Sequence, residues 1–245
     1  MLGFSHRVTR AALVAASAFV VLIVFVPFAP RRARAANEPG KGVRTVLLVR
    51  HGVYDEDDPR DPAIGKALTD RGREQARITG ERLANLPTHV DALWSSTFTR
   101  ARETADIIGE ALHQTPGRDN DLCECTPPTT REDIMKRERP GALDSCTAQI
   151  DHDFRRFFTP SPERDSLVVI VAHGNVIRSL VSRAIGLDPR QWLNFTLANC
   201  SLSVIEIHPD GRIRLVSYGD MGHLPVTLQG YPAPQWDPGL APKTR

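Results

Sequence analysis

The chain has 245 residues, 41% of them hydrophobic and 24% charged, an ordinary balance for a globular protein with one sizeable core. Its formal net charge of +2 is unevenly placed: residues 1–36 carry five arginines and no acids, leaving 26 basic against 29 acidic side chains, a formal −3, for residues 37–245. That body has no basic stripe, which excludes a nucleic-acid-binding reading and makes any cationic site a local one.

Residues 11–30 (AALVAASAFVVLIVFVPFAP) hold no charge, with Arg7 and Arg10 before them and Arg31, Arg32 and Arg34 after. Twenty such residues make a helix about 30 Å long, enough to cross a bilayer. A cleaved signal peptide ending at Ala33-Arg34-Ala35 is the other reading of residues 1–36. The anchor is preferred, because three arginines beside a cleavage site are awkward for export. Either way the chain is expected to be membrane-anchored or exported. Residues 37–43 read as a linker, 44–218 as the folded domain and 219–245 as a Pro/Gly-rich tail.

The domain opens with Thr45-Val46-Leu47-Leu48-Val49, a continuous apolar run that reads as a buried strand of a parallel sheet. It runs straight into Arg50-His51-Gly52, at the carboxyl end of a strand where open α/β sheets place their ligands. Burying an arginine and a histidine together calls for an anion. Residues 53–66 form a turn-rich loop with Asp55, Glu56, Asp57, Asp58 and Asp61, a solvated run that would favour a cationic peptide over a small anion.

Thr69 reads as the N-cap of a helix through about Leu86, with Ala76, Gly80, Leu83 and Ala84 toward the core. Asp91–Ser95 is a short strand feeding a second helix whose inner face carries Ala101, Thr104, Ala105, Ile108 and Leu112. Arg100 falls in that helix's first turn. Positive charge there opposes the helix dipole unless Arg100 and the helix end share one anion. Arg102 reads as a surface residue. Asp119–Cys125 reads as a short strand, Thr126–Thr130 as an irregular loop, and about Leu143 to Phe158 as a helix with Ile150, Phe154, Phe157 and Phe158 inward.

Ser166–Ala172 is the second long buried strand, and it too ends in a motif, His173-Gly174-Asn175. A helix follows, with Val176, Ile177, Leu180, Val181 and Ile185 on its apolar face, and Gly186 ends it. Asp188-Pro189 reads as N-cap and N1 of a short helix. Ser201–Ile207 and Arg212–Ser217 alternate around Pro209-Asp210-Gly211 as a hairpin. The four cysteines match no zinc pattern and no C-x-x-C motif. Either Cys123 or Cys125 could pair with Cys146 in an oxidising compartment, and free thiols are the other reading.

Two buried strands each ending in His-Gly, with Arg50 before one and Arg100 at a third junction, bring Arg50, His51, Arg100, His173 and Gly174 to one sheet edge. Such a set suits a dianionic phosphoryl group. A neutral histidine in line can attack phosphorus, giving a phosphohistidine that water hydrolyses, while the other cations hold the transferring oxygens. Glu124 is the nearest unassigned acid to protonate the leaving oxygen. A metal held by His51 and His173 is disfavoured by the arginines, so neither metal nor cofactor is expected. His6, His89, His113, His152, His208 and His223 stand outside any motif and read as surface or structural.

These residues carry a resemblance. Leu48-Val49-Arg50-His51-Gly52, Leu68-Thr69-x-x-Gly72, Ser95-Ser96-x-x-x-Arg100-Ala101-x-x-Thr104-Ala105 and Val171-Ala172-His173-Gly174-Asn175, in that order, are similar to the histidine phosphatase (phosphoglycerate-mutase-like) superfamily. The resemblance implies an α/β fold with a mostly parallel central sheet flanked by helices. It also implies His51 as phosphoryl acceptor, Arg50, Arg100 and His173 completing the pocket, and Glu124 as proton donor. Leu122-x-Glu124, Asn175-Val176-Ile177-Arg178, Trp192-Leu193, Asn199-x-Ser201, Pro209-x-Gly211-Arg212 and Gly219-Asp220-x-Gly222 resemble the membrane-anchored mitochondrial-type Ser/Thr protein phosphatase branch. Phosphoproteins are then the expected substrates, with small phosphate esters or sugar phosphates, or a phosphate-binding pseudo-enzyme, as alternatives. Two departures stand out. Residues 37–43 leave no room for that branch's tryptophan-rich assembly segment, so the oligomeric state is open. Val53-Tyr54-Asp55-Glu56 replaces the E-[ST] that follows R-H-G in the mutases.

Overall fold

The computed structural model describes residues 41–230. The apolar run at 11–30, most of the linker, and most of the Pro/Gly-rich tail lie outside the described residues. In chain order the elements are β1 (Arg44–Arg50), α1 (Asp70–Ala84), β2 (Ala92–Ser96), α2 (Thr99–Leu112), β3 (Gly117–Asp119), a 3-10 turn (Asn120–Leu122), α3 (Glu132–Met135) and α4 (Ala142–Phe157). They continue with β4 (Ser166–Ala172), α5 (Gly174–Ala184), a 3-10 turn (Pro189–Asn194), β5 (Leu202–Ile207), β6 (Ile213–Asp220) and a last 3-10 turn (Val226–Leu228).

The two apolar runs are neighbours at the centre of a six-stranded sheet of order β3-β2-β4-β1-β5-β6. Successive side chains of a strand point to opposite faces, and both faces here are covered. Val46 and Leu48 of β1 join Val168 and Ile170 of β4 beneath α4 and α5. Leu47 and Val49 join Val169 and Val171 beneath α2 and the Leu83 end of α1. Each fully buried chain of this kind contributes about 1.5–3 kcal/mol of transfer free energy, which is why these runs take the middle.

The sheet is mixed. β3, β2, β4 and β1 are parallel, while β5 runs antiparallel to β1 and β6 antiparallel to β5. The reason is the hairpin: Gly211, at φ +82°, lets the chain reverse within a few residues, and a tight reversal can only produce antiparallel strands. Thr69 caps α1 by accepting from the Gly72 amide at 3.2 Å, and Asp188 caps the 189–194 turn from Arg190 N at 3.0 Å, both as the spacing predicts.

Four local expectations are corrected. Asp119–Cys125 is not a strand: β3 comes earlier, and Asp119 caps the 3-10 turn by accepting the Asp121 amide, which ends the ladder. Ala84 and Ile185 are exposed, because each sits where its helix turns away from the sheet at the carboxyl end. Arg102 is half-buried and donates to Thr99 Oγ1 at 3.2 Å. Strand β6 reaches Asp220, past the start of the predicted tail. Among the described residues no helix is long and apolar enough to cross a membrane.

Candidate active site

Strand register brings the motifs together. Arg50 lies opposite Ala172, and Ser95 opposite Val171, so β1, β4 and β2 stop at one level. The residues that follow, His51, His173 and the Ser96–Arg100 turn into α2, therefore share one edge of the sheet. Gly52 is needed at that edge, since a Cβ there would stand 2.6 Å from the Gly72 carbonyl oxygen. The Gly52 amide donates to Thr104 Oγ1 at 3.0 Å, and Thr104 Oγ1 donates to the Arg100 carbonyl at 2.7 Å, locking strand end to helix start.

His51 is 1% exposed. Its amide donates to the Ala172 carbonyl at 3.0 Å, and Asn199 Nδ2 donates to its carbonyl at 2.8 Å. Two side-chain contacts agree on its tautomer. Nδ1 lies 2.9 Å from the Gly52 carbonyl and so carries the hydrogen, while Arg100 Nε donates to Nε2 at 3.2 Å, which requires a lone pair there. Burial, then His173, Arg50 and Arg100, hold its pKa well below the ordinary histidine value. It is a neutral imidazole with Nε2 facing a cationic pocket.

His173 caps the start of α5, with no exposure, and its Nε2 lies 2.8 Å from Ser96 Oγ. Burial, Arg100 and Arg50 lower its pKa as well. The two histidine rings stand 5.0 Å apart, and the edge of Tyr54 closes on His51 at 5.2 Å. Arg100 is 5% exposed and lies over the Tyr54 ring, its Cζ 4.7 Å from the centroid, and beside Phe98 at 5.3 Å. Arg50 donates through Nη1 to the Leu197 carbonyl. Gly174 opens α5, where a Cβ would stand 3.6 Å from Arg50 Nε, an ordinary contact that leaves its glycine without a steric cause.

Glu124 stands on irregular backbone after the 3-10 turn, and its Oε1 accepts the Asn175 amide at 3.2 Å. Burial raises its pKa above the ordinary carboxylate value, against the lowering effect of Arg100 and Arg50, which places it in the same electrostatic field as the pocket. Arg178 holds Asn175 from below, donating to its Oδ1 at 2.6 Å, and stacks on Trp192 at 4.7 Å. The Arg50, His51, Arg100, His173, Gly174 and Glu124 expected from the sequence thus all lie around one edge. Tyr54, Ser96, Phe98 and Asn199 also line or brace it, roles that the sequence motifs do not assign. Only the neighbourhood of the motifs could have pointed to them, since their contacts depend on how the loops pack.

Two buried donors in this edge, Arg50 Nε and His173 Nδ1, have no protein partner. Buried polar groups are rarely left so, and with two guanidiniums beside them the missing partner is an anion. Three of the other histidines meet local partners: His152 Nδ1 lies 2.7 Å from Asp121, His208 3.3 Å from Glu206, and His223 3.0 Å from Thr79 Oγ1. The cysteine alternatives resolve as Cys125–Cys146 bonded, with Cys123 and Cys200 free.

The chain is similar to known proteins. The chain is 39% identical over 187 residues to a Caenorhabditis briggsae protein described as serine/threonine-protein phosphatase Pgam5, mitochondrial, covering 74% of this chain and 64% of that one. It is 35% identical to the Xenopus tropicalis protein of the same description, covering 76% of this chain and 67% of that one. Among solved structures, phosphoglycerate mutase from Plasmodium falciparum superposes with a TM-score of 0.53 at 26% identity, covering 75% of this chain and 95% of that one. This chain therefore spans about two thirds of the length of these curated relatives. The model of the histidine phosphatase superfamily (branch 1) matches residues 46–221, which contain every side chain at this edge, and the chain belongs to that superfamily.

Proposed function

We propose that the protein is a phosphomonoesterase that works through a phosphohistidine on His51 and acts on phosphoserine and phosphothreonine proteins. The observation that carries the reading is the pair of buried nitrogens without protein partners, Arg50 Nε and His173 Nδ1, at the same edge as Arg100, which donates to the neutral Nε2 of His51. A phosphoryl dianion answers all of them. Ser96 Oγ lies 2.8 Å from His173 Nε2, and in the tautomer where Ser96 donates there, His173 carries Nδ1–H for a phosphoryl oxygen.

In the first half-reaction the Nε2 lone pair attacks phosphorus while the ester P–O bond breaks. Arg50, Arg100 and His173 hold the equatorial oxygens as charge spreads over them. Glu124, whose pKa burial raises, is the acid that gives its proton to the leaving oxygen in this reading. In the second half, Glu124 takes a proton from water, the hydroxide breaks the P–N bond, and phosphate leaves with His51 neutral again. The arginines supply the positive charge for both halves, and no step is routed through a metal. Two-thirds coverage of relatives described as protein phosphatases supports phosphoproteins as substrates.

The chain is placed at a membrane or beyond it. Two features support this: the uncharged run 11–30 between arginines, and the Cys125–Cys146 bond, which persists in oxidising compartments. The function is tested by phosphate release from phosphoserine, phosphothreonine and phosphotyrosine peptides, sugar phosphates and 3-phosphoglycerate, with His51→Ala beside the parent chain. Release from phosphoserine and phosphothreonine peptides, lost in His51→Ala, is the expected result. Release from small esters alone would replace the protein substrate with a metabolite. Phosphopeptide binding without turnover in both proteins would make the site a recognition module.

A further inference from the structure

Glu124 has no strand or helix under it. From Cys123 to Thr130 the backbone is irregular, and its position depends on ties from two helices. Gln149 Nε2 on α4 donates to the Cys123 carbonyl at 2.6 Å. On α5, Asn175 gives its amide to the Glu124 carboxylate and its Nδ2 to the Cys125 carbonyl at 3.1 Å. The one covalent tie is Cys125–Cys146, which bolts the residue after Glu124 to α4. Cys146 is 1% exposed and belongs to the hydrophobic core beside Ile150, so its end of the bond is immobile. Cys125 is half-buried against the same core, so of the two cysteines it is the less enclosed.

We propose that Cys125–Cys146 is a thiol-responsive site that positions Glu124, so that a dithiol reductant switches down proton delivery to the leaving group. The proposal rests on the reading of Glu124 as proton donor given above. A thiolate of the dithiol attacks Cys125 Sγ. The bond to Cys146 breaks, and Cys146 leaves as a thiolate that takes a proton from water. The second thiolate of the dithiol then attacks the mixed disulfide, closes its own ring and leaves Cys125 as a thiol. The protein gains two electrons and two protons, and the dithiol loses them. With the bond open, the loop closed across 21 residues loses its covalent tie, and Glu124 is held by hydrogen bonds and by the packing of Leu122 alone. Displacements near 1 Å are enough to cost catalysis about a hundredfold.

The test compares the full chain purified without reductant, the same chain in dithiothreitol, Cys146→Ser, and Glu124→Gln on two esters. A phosphoserine peptide has a basic alkoxide leaving group that needs the proton, whereas p-nitrophenyl phosphate has a phenolate that leaves without it. Dithiothreitol and Cys146→Ser are expected to lower kcat on the peptide about tenfold or more, with KM nearly unchanged and a much smaller effect on the aryl ester, in the pattern of Glu124→Gln. Amide exchange over residues 120–126 should rise in the reduced chain while β1 and β4 stay protected. Equal losses on both esters would overturn the proposal in favour of a purely structural bond. If Glu124→Gln itself showed no difference between the esters, the reading of Glu124 would fall. Exchange unchanged on reduction would sink the clamp whatever the activity. Exchange that rises in a chain inactive on both esters would sink the reading of the site and leave the clamp standing.

Discussion

Asp153 on α4 offers the most exacting physical test of this structure. It has no solvent exposure, and neither carboxylate oxygen has a protein partner. Burial, then Asp119 and Asp121, push its pKa up to about 8, against the pull of Arg156, which is already paired with Asp119. An unfolded aspartate releases its proton near 3.8, so between about pH 4 and 8 the native state binds one proton more than the unfolded state. Stability therefore falls as pH rises through that window and is flat above it. At pH 7 the native chain forfeits about 4 kcal/mol as a ceiling, by the linkage of 1.4 kcal/mol per pH unit. Asp153→Asn has the shape of the neutral acid and meets the same surroundings, but it has no proton to hold. We expect it to raise stability by about 2–4 kcal/mol at pH 7, or about 5–10 °C in Tm, and to converge with the parent near pH 4.5. Thermal unfolding followed by circular dichroism at pH 4.5, 6.0 and 7.5 reads this directly. A Tm gap independent of pH, or a variant less stable than the parent at pH 7.5, would refute the assignment of a neutral buried acid.

Two further outcomes follow from the site. Glu124→Gln should lower kcat on alkyl phosphates about 10²–10⁴-fold and abolish the alkaline limb of the pH–rate profile, because burial raises the Glu124 pKa and the protonated form is the active one. A variant that keeps the alkaline limb would transfer the acid role to another group. Inorganic phosphate at about a hundred times its Kd should stabilise the chain by about 2.7 kcal/mol, read as a Tm rise of about 5–10 °C, and Arg100→Ala should remove most of it. An equal rise in that variant would place the anion elsewhere.

The parts of the fold legible in the sequence are those where one physical demand dominates. The strands around Leu48 and Ile170 read clearly because burial on both faces asks for unbroken apolar residues. Arg50, His51 and His173 read clearly because polar, ionisable side chains follow two buried apolar strands at the edge where such sheets place ligands. Competing demands hid the rest. On α4 the aromatic residues mark the inward face, yet Phe154 is only half-buried, stacked on Phe158 at 4.6 Å, while Asp153 is the fully buried neighbour. No periodicity predicts a buried acid. The cysteine spacing left two partners for Cys146, and what selects Cys125 is the path of irregular chain past Asn175 and Gln149. The antiparallel β5 alongside β1 depends on where a hairpin docks, which pattern alone does not settle.

The electrostatics of the site also explain why its parts belong together. Two arginines and two histidines crowded under low exposure repel one another, and the weakest bases give way, so both histidines are held neutral. For a surface pair this would be a defect. Here it leaves Nε2 of His51 unprotonated, its lone pair accepting from Arg100 Nε, while the guanidiniums, which do not deprotonate in proteins, keep the charge that a transferring phosphoryl group needs. The same desolvation acts oppositely on Glu124, raising its pKa against the pull of Arg100 and Arg50, the direction that the proposed acid role needs. One dry, cationic edge thus prepares a base and an acid together, and it does so with backbone anchors, the Gly52 carbonyl, the Ala172 carbonyl and Asn199, that need not move when the anion arrives. A bound phosphoryl dianion relieves the repulsion in a single step, so the energy stored in assembling the pocket is returned on binding and on the way to the transition state.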